Sequence, residues 1–240
     1  MITGEGLRKR FGAVTAVDGF SFAAQDGAIT TLLGGNGSGK TTTLRMIGGL
    51  IKPDAGSVVI DGADVSQARR RALSRLGMLH DEFGLYPRLT VVEHVRFAGQ
   101  LYGLSGRKLS TAVEGAVDAL GLHDIRNRFA AGLSHGQRMK TALARTIIHG
   151  PRNLVLDEPT RGLDVFSVRV LRELLKRFRA DGVCLLMSSH AMAEVMELSD
   201  RLIVIDKGRL VAEGAPAEII ARGGGGDLEA AFLNLTGVAA

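Results

Sequence analysis

Gly34-Gly35-Asn36-Gly37-Ser38-Gly39-Lys40-Thr41 is the stretch of this sequence that decides the fold. It fits the pattern G-x-x-x-x-G-K-[ST], in which glycines let several backbone N–H groups point inward toward phosphate. Lys40 adds a point charge for the outer phosphates, and the hydroxyl of Thr41 can reach Mg²⁺. An apolar run, 28–33, precedes the stretch, and a helical pattern follows from about residue 40 to 50, before Pro53. These features predict a phosphate-binding loop between a buried strand and a helix.

A second stretch, Leu154-Val155-Leu156-Asp157-Glu158, is an apolar strand that ends in two carboxylates. An Asp at the carboxyl end of a strand beside a phosphate loop can hold Mg²⁺ through water. Glu158, one residue farther out, can polarise an attacking water. Carboxylates also end many strands as solvated residues, so the pattern gains its meaning from the phosphate loop. Together the two stretches predict a site for a nucleotide and its metal.

Composition limits the classes of protein to consider. Hydrophobic residues make up 45% of the 240 residues and charged residues 23%, which is typical of a globular domain. The single cysteine, Cys184, excludes an intrachain disulfide, lies in an apolar run and is predicted to be buried, as expected in a reducing cytoplasm. No run approaches the roughly 18 apolar residues of a membrane span. The net charge of +5 permits a nucleic acid or an anionic membrane surface as a neighbour, although the densest basic cluster, 69–71, is predicted to be a solvated helix face.

The chain alternates between strand and helix patterns around a helical middle part. Strand patterns fill residues 1–33, helical patterns fill about 84–150, and strand–helix alternation resumes from residue 153. The order predicts an α/β domain with a largely parallel sheet and a helical insertion. Lys207-Gly208 separates two short strands as a hairpin would. Four glycines, 223–226, predict a flexible linker, followed by one short amphipathic helix at 228–235.

Leu133-Ser134-His135-Gly136-Gln137 opens a helix with a capping box made by Ser134 and Gln137. A helix N-terminus with a serine hydroxyl and a glycine attracts phosphate. Taken alone, the segment is a well-capped helix and nothing more.

Taken together, these motifs resemble those of ATP-binding-cassette (ABC) ATPases. The similarity covers about residues 2–222, and its motifs occur in the family's order: 34–41, 133–137, 156–160, 162–164 and 188–190. Residues 84–90 and 232–237 are similar, less specifically, to the cassettes of bacterial export systems, including the sodium-efflux type.

The resemblance implies a fold and a domain division. We expect an α/β fold with a P-loop NTPase core and a mostly parallel sheet, an N-terminal antiparallel β subdomain and an inserted helical subdomain. Residues 1–222 would form a single ABC ATPase domain, with its core and β subdomain in 1–83 and 151–222 and its helical subdomain in 84–150. Residues 223–240 would form a glycine-rich linker and a short tail.

The resemblance also implies roles for individual residues. Glu158 would be the general base, and His190 would contact the γ-phosphate. Mg²⁺ would be bound by Thr41, Asp157 and Asp81. Asp164 would lie at the dimer seam, or cap the helix that follows, or both. The remaining nucleotide-binding residues would be Phe11, Gly34, Gly35, Asn36, Gly37, Ser38, Gly39, Lys40, Thr42, Ser134, Gly136 and Gln137. Phe11 would lie against adenine, unless it is an ordinary aromatic at a strand end.

Two positions depart from the family pattern. His135 stands where the family usually has Gly, and its imidazole could add a donor beside phosphate or crowd the dimer interface. Asp81, between His80 and Glu82, stands where the family commonly has Gln, so it could bind Mg²⁺ more strongly but adds negative charge. The alternative is that the alignment with the family is displaced by one residue here.

The function implied is that of an ATP-hydrolysing subunit of an ABC membrane transporter. An exporter is favoured over an importer. ATP and Mg²⁺ would be its cofactors. Its partners would be a second copy, arranged head to tail, and polytopic permease subunits, with no nucleic acid expected. Its place would be the cytoplasmic face of the membrane, as a peripheral protein. The alternatives are a soluble ABC ATPase that acts on nucleic acid or ribosomes and, more weakly, a small-molecule kinase. The transported compound cannot be read from this chain.

Overall fold

Two sheets and the helices packed on them make up the fold. The computed structural model describes residues 1–237. Within these residues the strands are β1 Ile2–Phe11, β2 Val14–Ala24, β3 Ile29–Leu33, β4 Ala55–Ile60, β5 Ala63–Asp64, β6 Leu76–Leu79, β7 Asn153–Asp157, β8 Cys184–Ser189, β9 Arg201–Asp206 and β10 Arg209–Gly214. The helices are α1 Lys40–Ile47, α2 Arg69–Leu73, α3 Val91–Leu101, α4 Gly106–Leu120, α5 His135–Ile147, α6 Val165–Ala180, α7 Met192–Leu198, α8 Pro216–Arg222 and α9 Leu228–Thr236.

The larger sheet has six strands in the order β10-β9-β3-β8-β7-β6. Its pairs are parallel, apart from the antiparallel hairpin of β9 and β10. Strands β3, β7 and β8 are buried along their whole length, as expected where helices cover both faces of a parallel sheet. The smaller sheet is antiparallel, in the order β2-β1-β4-β5. The predicted α/β fold with a separate antiparallel sheet is confirmed.

The helical middle part contains α3, α4 and α5, which pack together on one side of the large sheet. Thr90 and Ser134 begin α3 and α5 with capping boxes, and the one at Ser134 is the box predicted above. The helix after the phosphate loop, α1, is shorter than predicted. It ends at Ile47 because Gly48 caps it and Gly49 takes a left-handed φ of 65°, well before Pro53.

The glycine run after α8 forms a hydrogen-bonded turn where the sequence predicts a flexible linker. The N–H groups of Gly223, Gly224 and Gly225 donate to carbonyls of α8. A Cβ on Gly223 would lie 2.4 Å from Ala231, so this glycine lets α9 pack directly against the end of α8. The predicted helix at 228–235 is present as α9 and buries Leu228. Residues 238–240 of the predicted tail lie outside the described residues.

Parallel strands bring the predicted motifs together. The segments that follow β3, β7 and β8 all leave the carboxyl edge of the large sheet, because these strands are neighbours and run in the same direction. Ligands of open α/β sheets bind at this edge. The phosphate loop follows β3, Asp157 ends β7 with Glu158 directly after it, and His190 follows β8.

Candidate functional site

One open pocket at the carboxyl edge of the large sheet collects most of the predicted site residues. It is bounded by the phosphate loop on one side and by the end of β7 on the other. Its lining consists of Ala16, Gly35, Asn36, Gly37, Ser38, Gly39, Lys40, Thr41, Thr42, Asp81, Asp157, Glu158 and Arg161.

The phosphate loop takes its shape from glycine. Gly39, the N-cap of α1, has a φ of 107°, which L side chains rarely adopt, and a Cβ there would lie 2.5 Å from the carbonyl oxygen of Ala16. No side chain makes a cap hydrogen bond at this helix start. The first N–H groups of α1 therefore remain available to an anion.

Lys40 closes back over the loop. Its Nζ donates to the carbonyl oxygens of Gly34 at 2.7 Å and Gly35 at 3.1 Å. The side chain is only 7% exposed. Burial lowers the pKa of Lys40, while the charges of Glu158 and Asp157 act in the opposite direction. This buried ammonium group is a cation placed among loop oxygens and the two strand-end carboxylates.

Asp157 is the last residue of β7 and is almost fully buried. Ser188 Oγ donates to its Oδ1 at 2.6 Å, and Thr41 Oγ1 lies 3.5 Å from the same oxygen. The carboxylate therefore faces the hydroxyl of the phosphate loop across the pocket, as a shared metal site would require.

Glu158 has an unusual backbone and a defined side-chain position. Its φ of 48° is left-handed, which is uncommon for a residue other than glycine. Its Oε2 lies 2.8 Å from His190 Nδ1, and its Oε1 lies 3.9 Å from Lys40 Nζ. A carboxylate only accepts hydrogen bonds, so Nδ1 of His190 carries the proton in this contact. The pair can hold a water and take its proton at the mouth of the pocket.

In the segment that follows β6, Asp81 lines the pocket. Neither His80 nor Glu82 is among the lining residues. A one-residue slip would have placed one of these neighbours there instead. Of the three, only Asp81 lines the pocket, and its place at the family's usual Gln position stays a prediction.

No residue of the helix tip at 134–137 lines this pocket in the same chain. Ser134, Gly136 and Gln137 are not among its lining residues, and Ser134 and Gln137 cap each other. The imidazole of His135 is turned toward its own chain. Its Nε2 donates to the carbonyl oxygen of Arg161 at 3.0 Å, and its ring packs 5.2 Å from that of Phe83.

For both Phe11 and Asp164, the sequence leaves two interpretations open. Phe11 is the last residue of β1, is 48% exposed and is not among the residues that line the pocket. Asp164 is the N-cap of α6, since its Oδ1 accepts from the N–H of Ser167 at 2.9 Å. The capping role of Asp164 is confirmed, while its place at a dimer seam and the adenine contact of Phe11 stay predictions.

Sequence reasoning missed the parts played by Ser188 and Arg161. Ser188 contacts Asp157 from the neighbouring strand, and Arg161 lines the pocket three residues after Glu158. The local signal for Ser188, besides its place in the 188–190 motif, is a polar residue at the end of an otherwise apolar strand. Such a residue is a candidate for contact with the end of the adjacent strand.

Comparison with known proteins decides the family. A sequence model described as ABC transporter matches residues 17–161. The chain is 38% identical, over 84% of its length, to the ABC transporter ATP-binding protein NatA of Bacillus subtilis (strain 168), and the match covers 82% of that protein. The chain belongs to the ABC transporter family. The resemblance drawn from the sequence is confirmed, and this ABC cassette is an ATPase that serves transport.

Two further comparisons describe the kind of cassette. The chain is 39% identical to the Nod factor export ATP-binding protein I of Ralstonia nicotianae, over 90% of this cassette and 67% of that protein. It also matches a solved dimeric ATP-binding cassette in a post-hydrolysis state bound to ADP and Pi, with a TM-score of 0.81, 25% identity and coverage of 90% of this chain and 98% of the other. Among the helices of residues 1–237, none has the length and apolar character needed to cross a membrane.

Proposed function

We propose that the chain is the nucleotide-binding subunit of an ABC exporter, in which two copies close on ATP and separate after hydrolysis. The observation that carries this proposal is the convergence of Lys40, Asp157 and Glu158 on one pocket at the mouth of the phosphate loop. Export, rather than import, is supported by the similarity to the Nod factor export ATP-binding protein I. The likeness to the sodium-efflux type in the sequence agrees with this direction.

In the proposed site, residues 34–42 bind the triphosphate of ATP. The free N–H groups at the start of α1 face the phosphates, and Lys40 exchanges its loop carbonyls for phosphate oxygens. Phe11 would then lie against adenine from the end of β1. Glu158 is assigned as general base, because its carboxylate lies beside Lys40 and is held by His190. His190 is in turn assigned to the γ-phosphate.

The residues present fit Mg²⁺. Thr41, Asp157 and Asp81 offer the hard oxygen ligands that this ion prefers. Among the described residues, 1–237, the buried Asp157 carboxylate accepts hydrogen bonds from the hydroxyls of Ser188 and Thr41 alone. Within residues 1–237 no group of three or more His, Cys, Asp or Glu side chains makes a complete metal site. A magnesium ion held partly by protein and partly by nucleotide phosphates needs no such group. The ion would neutralise phosphate charge during hydrolysis.

A second copy is needed because one chain holds only half of the proposed site. The capped tip of α5 with Ser134, Gly136 and Gln137 does not line the chain's own pocket. In a head-to-tail pair, this tip would face the γ-phosphate bound by the other copy, with Asp164 at the seam. The dimeric solved cassette that matches this chain supports such a pair.

A groove between the helical part and the large sheet supports a permease as the partner. Four large apolar side chains are exposed at its rim, and the guanidinium of Arg145 donates to the carbonyl oxygen of Gly84 beside them. Exposed aromatic groups of this kind mark protein contact surfaces. The rim residues are Tyr86, Phe97, Leu101 and Tyr102. We propose that 84–150 acts as a helical subdomain that passes dimer opening to membrane-spanning subunits, which places the cassette at the cytoplasmic face of the membrane.

Co-purification tests the proposed function. Tagged chain expressed in its own cell should be recovered from membranes together with a polytopic protein, and added ATP should be hydrolysed by the complex. Recovery with ribosomes or DNA instead, with ATPase activity that falls steeply as salt rises, would favour the soluble alternative. Transfer of phosphate to a small molecule, without free phosphate, would favour a kinase.

Asp81→Gln tests the carboxylate in place of the usual Gln. We expect the Mg²⁺ concentration that gives half-maximal ATPase activity to rise about fivefold, which is what roughly 1 kcal/mol of lost attraction produces. Magnesium titration at fixed ATP measures this change. The matched control is Glu82→Gln, which removes an exposed neighbouring charge outside the pocket. Equal effects of the two substitutions, or none from Asp81→Gln, would remove Asp81 from the metal site.

A further inference from the structure

We propose that Ser188 is a positioning residue for the hydrolytic site, acting on both Asp157 and Glu158 from the adjacent strand. This inference rests on the proposed function, because it concerns the residues assigned there to Mg²⁺ and to the attacking water. Its basis is a fully buried hydroxyl that bonds to the side chain of one of these residues and to the backbone of the other.

Strand register puts the hydroxyl in place. Ser188 of β8 pairs directly with Asp157 of β7 in parallel register. Directly paired residues in neighbouring strands present their side chains on the same face of a sheet. The serine Oγ therefore reaches the carboxylate as soon as the two strands pair.

The chemistry of the three groups fixes which one donates in each of the two contacts. The N–H of Glu158 can only donate, so Ser188 Oγ accepts from it, at 2.9 Å. The one hydroxyl proton is then free to donate to Asp157 Oδ1, at 2.6 Å. The N–H of Glu158 and the carboxylate of Asp157 therefore fix the orientation of the hydroxyl, and the hydroxyl in turn holds both of these groups in place.

The contact also supports the left-handed backbone of Glu158. Residues held in this conformation cost free energy and persist only where the surroundings impose it. Here the N–H of Glu158 is bound by Ser188, and its carbonyl oxygen accepts from the N–H of Arg161 at 3.1 Å. With both backbone groups bound, the side chain leaves toward Lys40 and His190. Ser188 therefore sets where the proposed base stands, although it does not touch the reacting atoms.

Ser188→Ala removes the hydroxyl while leaving the strand intact. The buried Asp157 then loses its shortest hydrogen bond, and the half-buried Glu158 loses the acceptor of its N–H. We expect kcat for ATP hydrolysis to fall about tenfold to a hundredfold, with KM for ATP changed less than about twofold, since Ser188 is not part of the phosphate loop. Steady-state phosphate release measures both constants.

A binding measurement separates positioning from a general loss of activity. In wild type, Mg²⁺ should tighten ATP binding relative to binding in EDTA, and calorimetry gives the ratio of the two dissociation constants. We expect that ratio to shrink about fivefold in Ser188→Ala, while binding in EDTA stays at the wild-type level. A residue that supports only the fold would not change the magnesium-dependent part alone.

Two variants serve as controls. Ser189→Ala removes an equally buried hydroxyl from the next position of the same strand, where it accepts from the N–H of Ala191 and faces away from Asp157. It should keep wild-type kcat and magnesium dependence. Ser188→Thr keeps the hydroxyl and should restore kcat to within about threefold of wild type.

The results that would overturn the proposal are distinct from those that would overturn the proposed function. Wild-type kcat and magnesium dependence in Ser188→Ala, or equal losses in Ser189→Ala, would contradict a positioning role. If Ser188→Ala does not fold, a folded Ser188→Thr that has lost tenfold in kcat would contradict the proposal, and wild-type kcat there would support it. A wild-type chain that does not hydrolyse ATP with its partners would instead contradict the proposed function.

Discussion

Glu158→Gln is expected to reduce the turnover number for ATP at least about a hundredfold, which is the usual contribution of a positioned general base. Glutamine has nearly the shape of glutamate, so its side chain can still lie between Lys40 and His190. The amide cannot accept the proton of an attacking water, and turnover therefore stops before phosphate is released. Release of inorganic phosphate under saturating Mg-ATP measures the loss.

The same substitution should preserve ATP binding and trap the closed pair. The phosphate loop is unchanged, and removing a negative charge 3.9 Å from Lys40 favours the anionic ligand. Sedimentation should show a dimer of Glu158→Gln with ATP and monomers with ADP. Glu229→Gln, which changes an exposed carboxylate on α9, is the matched control and should turn over like wild type. Hydrolysis by Glu158→Gln at the wild-type rate would remove Glu158 as the base.

The parts of the site that could be predicted from the sequence are local ones. The phosphate loop is a run of eight residues whose glycines and lysine act on one ligand, and the structure gives it a left-handed Gly39 and a buried Lys40. The strand that ends in Asp157-Glu158 is likewise contained in five residues. Patterns of this length determine their local geometry, because strand, loop and helix follow one another directly.

Contacts between distant parts of the chain could not be predicted in the same way. Ser188 meets Asp157 only because β7 and β8 pair in one register, and no local pattern records that register. The direction of the His135 ring depends on a carbonyl 26 residues away. The glycine run 223–226 looks like a linker by composition, yet its glycines allow close packing of α9 on α8. In each case tertiary contacts decided between two structures that the local sequence permits.

Lys40→Ala is expected to weaken ATP binding about tenfold to a hundredfold, as loss of one or two charge-assisted hydrogen bonds to phosphate would produce. The effect should be local. The ammonium group already loses hydration through burial, which lowers its pKa, and it donates hydrogen bonds to two loop carbonyls. Alanine leaves those carbonyls at the edge of an open pocket, where water can replace the lysine.

The melting temperature of the ligand-free Lys40→Ala variant should therefore stay within a few degrees of wild type, because no apolar core contact is lost. Added Mg-ATP should raise the melting temperature of wild type but scarcely that of the variant, since stabilisation by a ligand follows its affinity. Lys207→Ala, which removes a highly exposed lysine from the hairpin between β9 and β10, should respond to ATP like wild type. Wild-type affinity for ATP in Lys40→Ala would mean that the triphosphate binds elsewhere. The roles proposed for Glu158 and Asp157 would then fall as well, because both are assigned from their positions around Lys40.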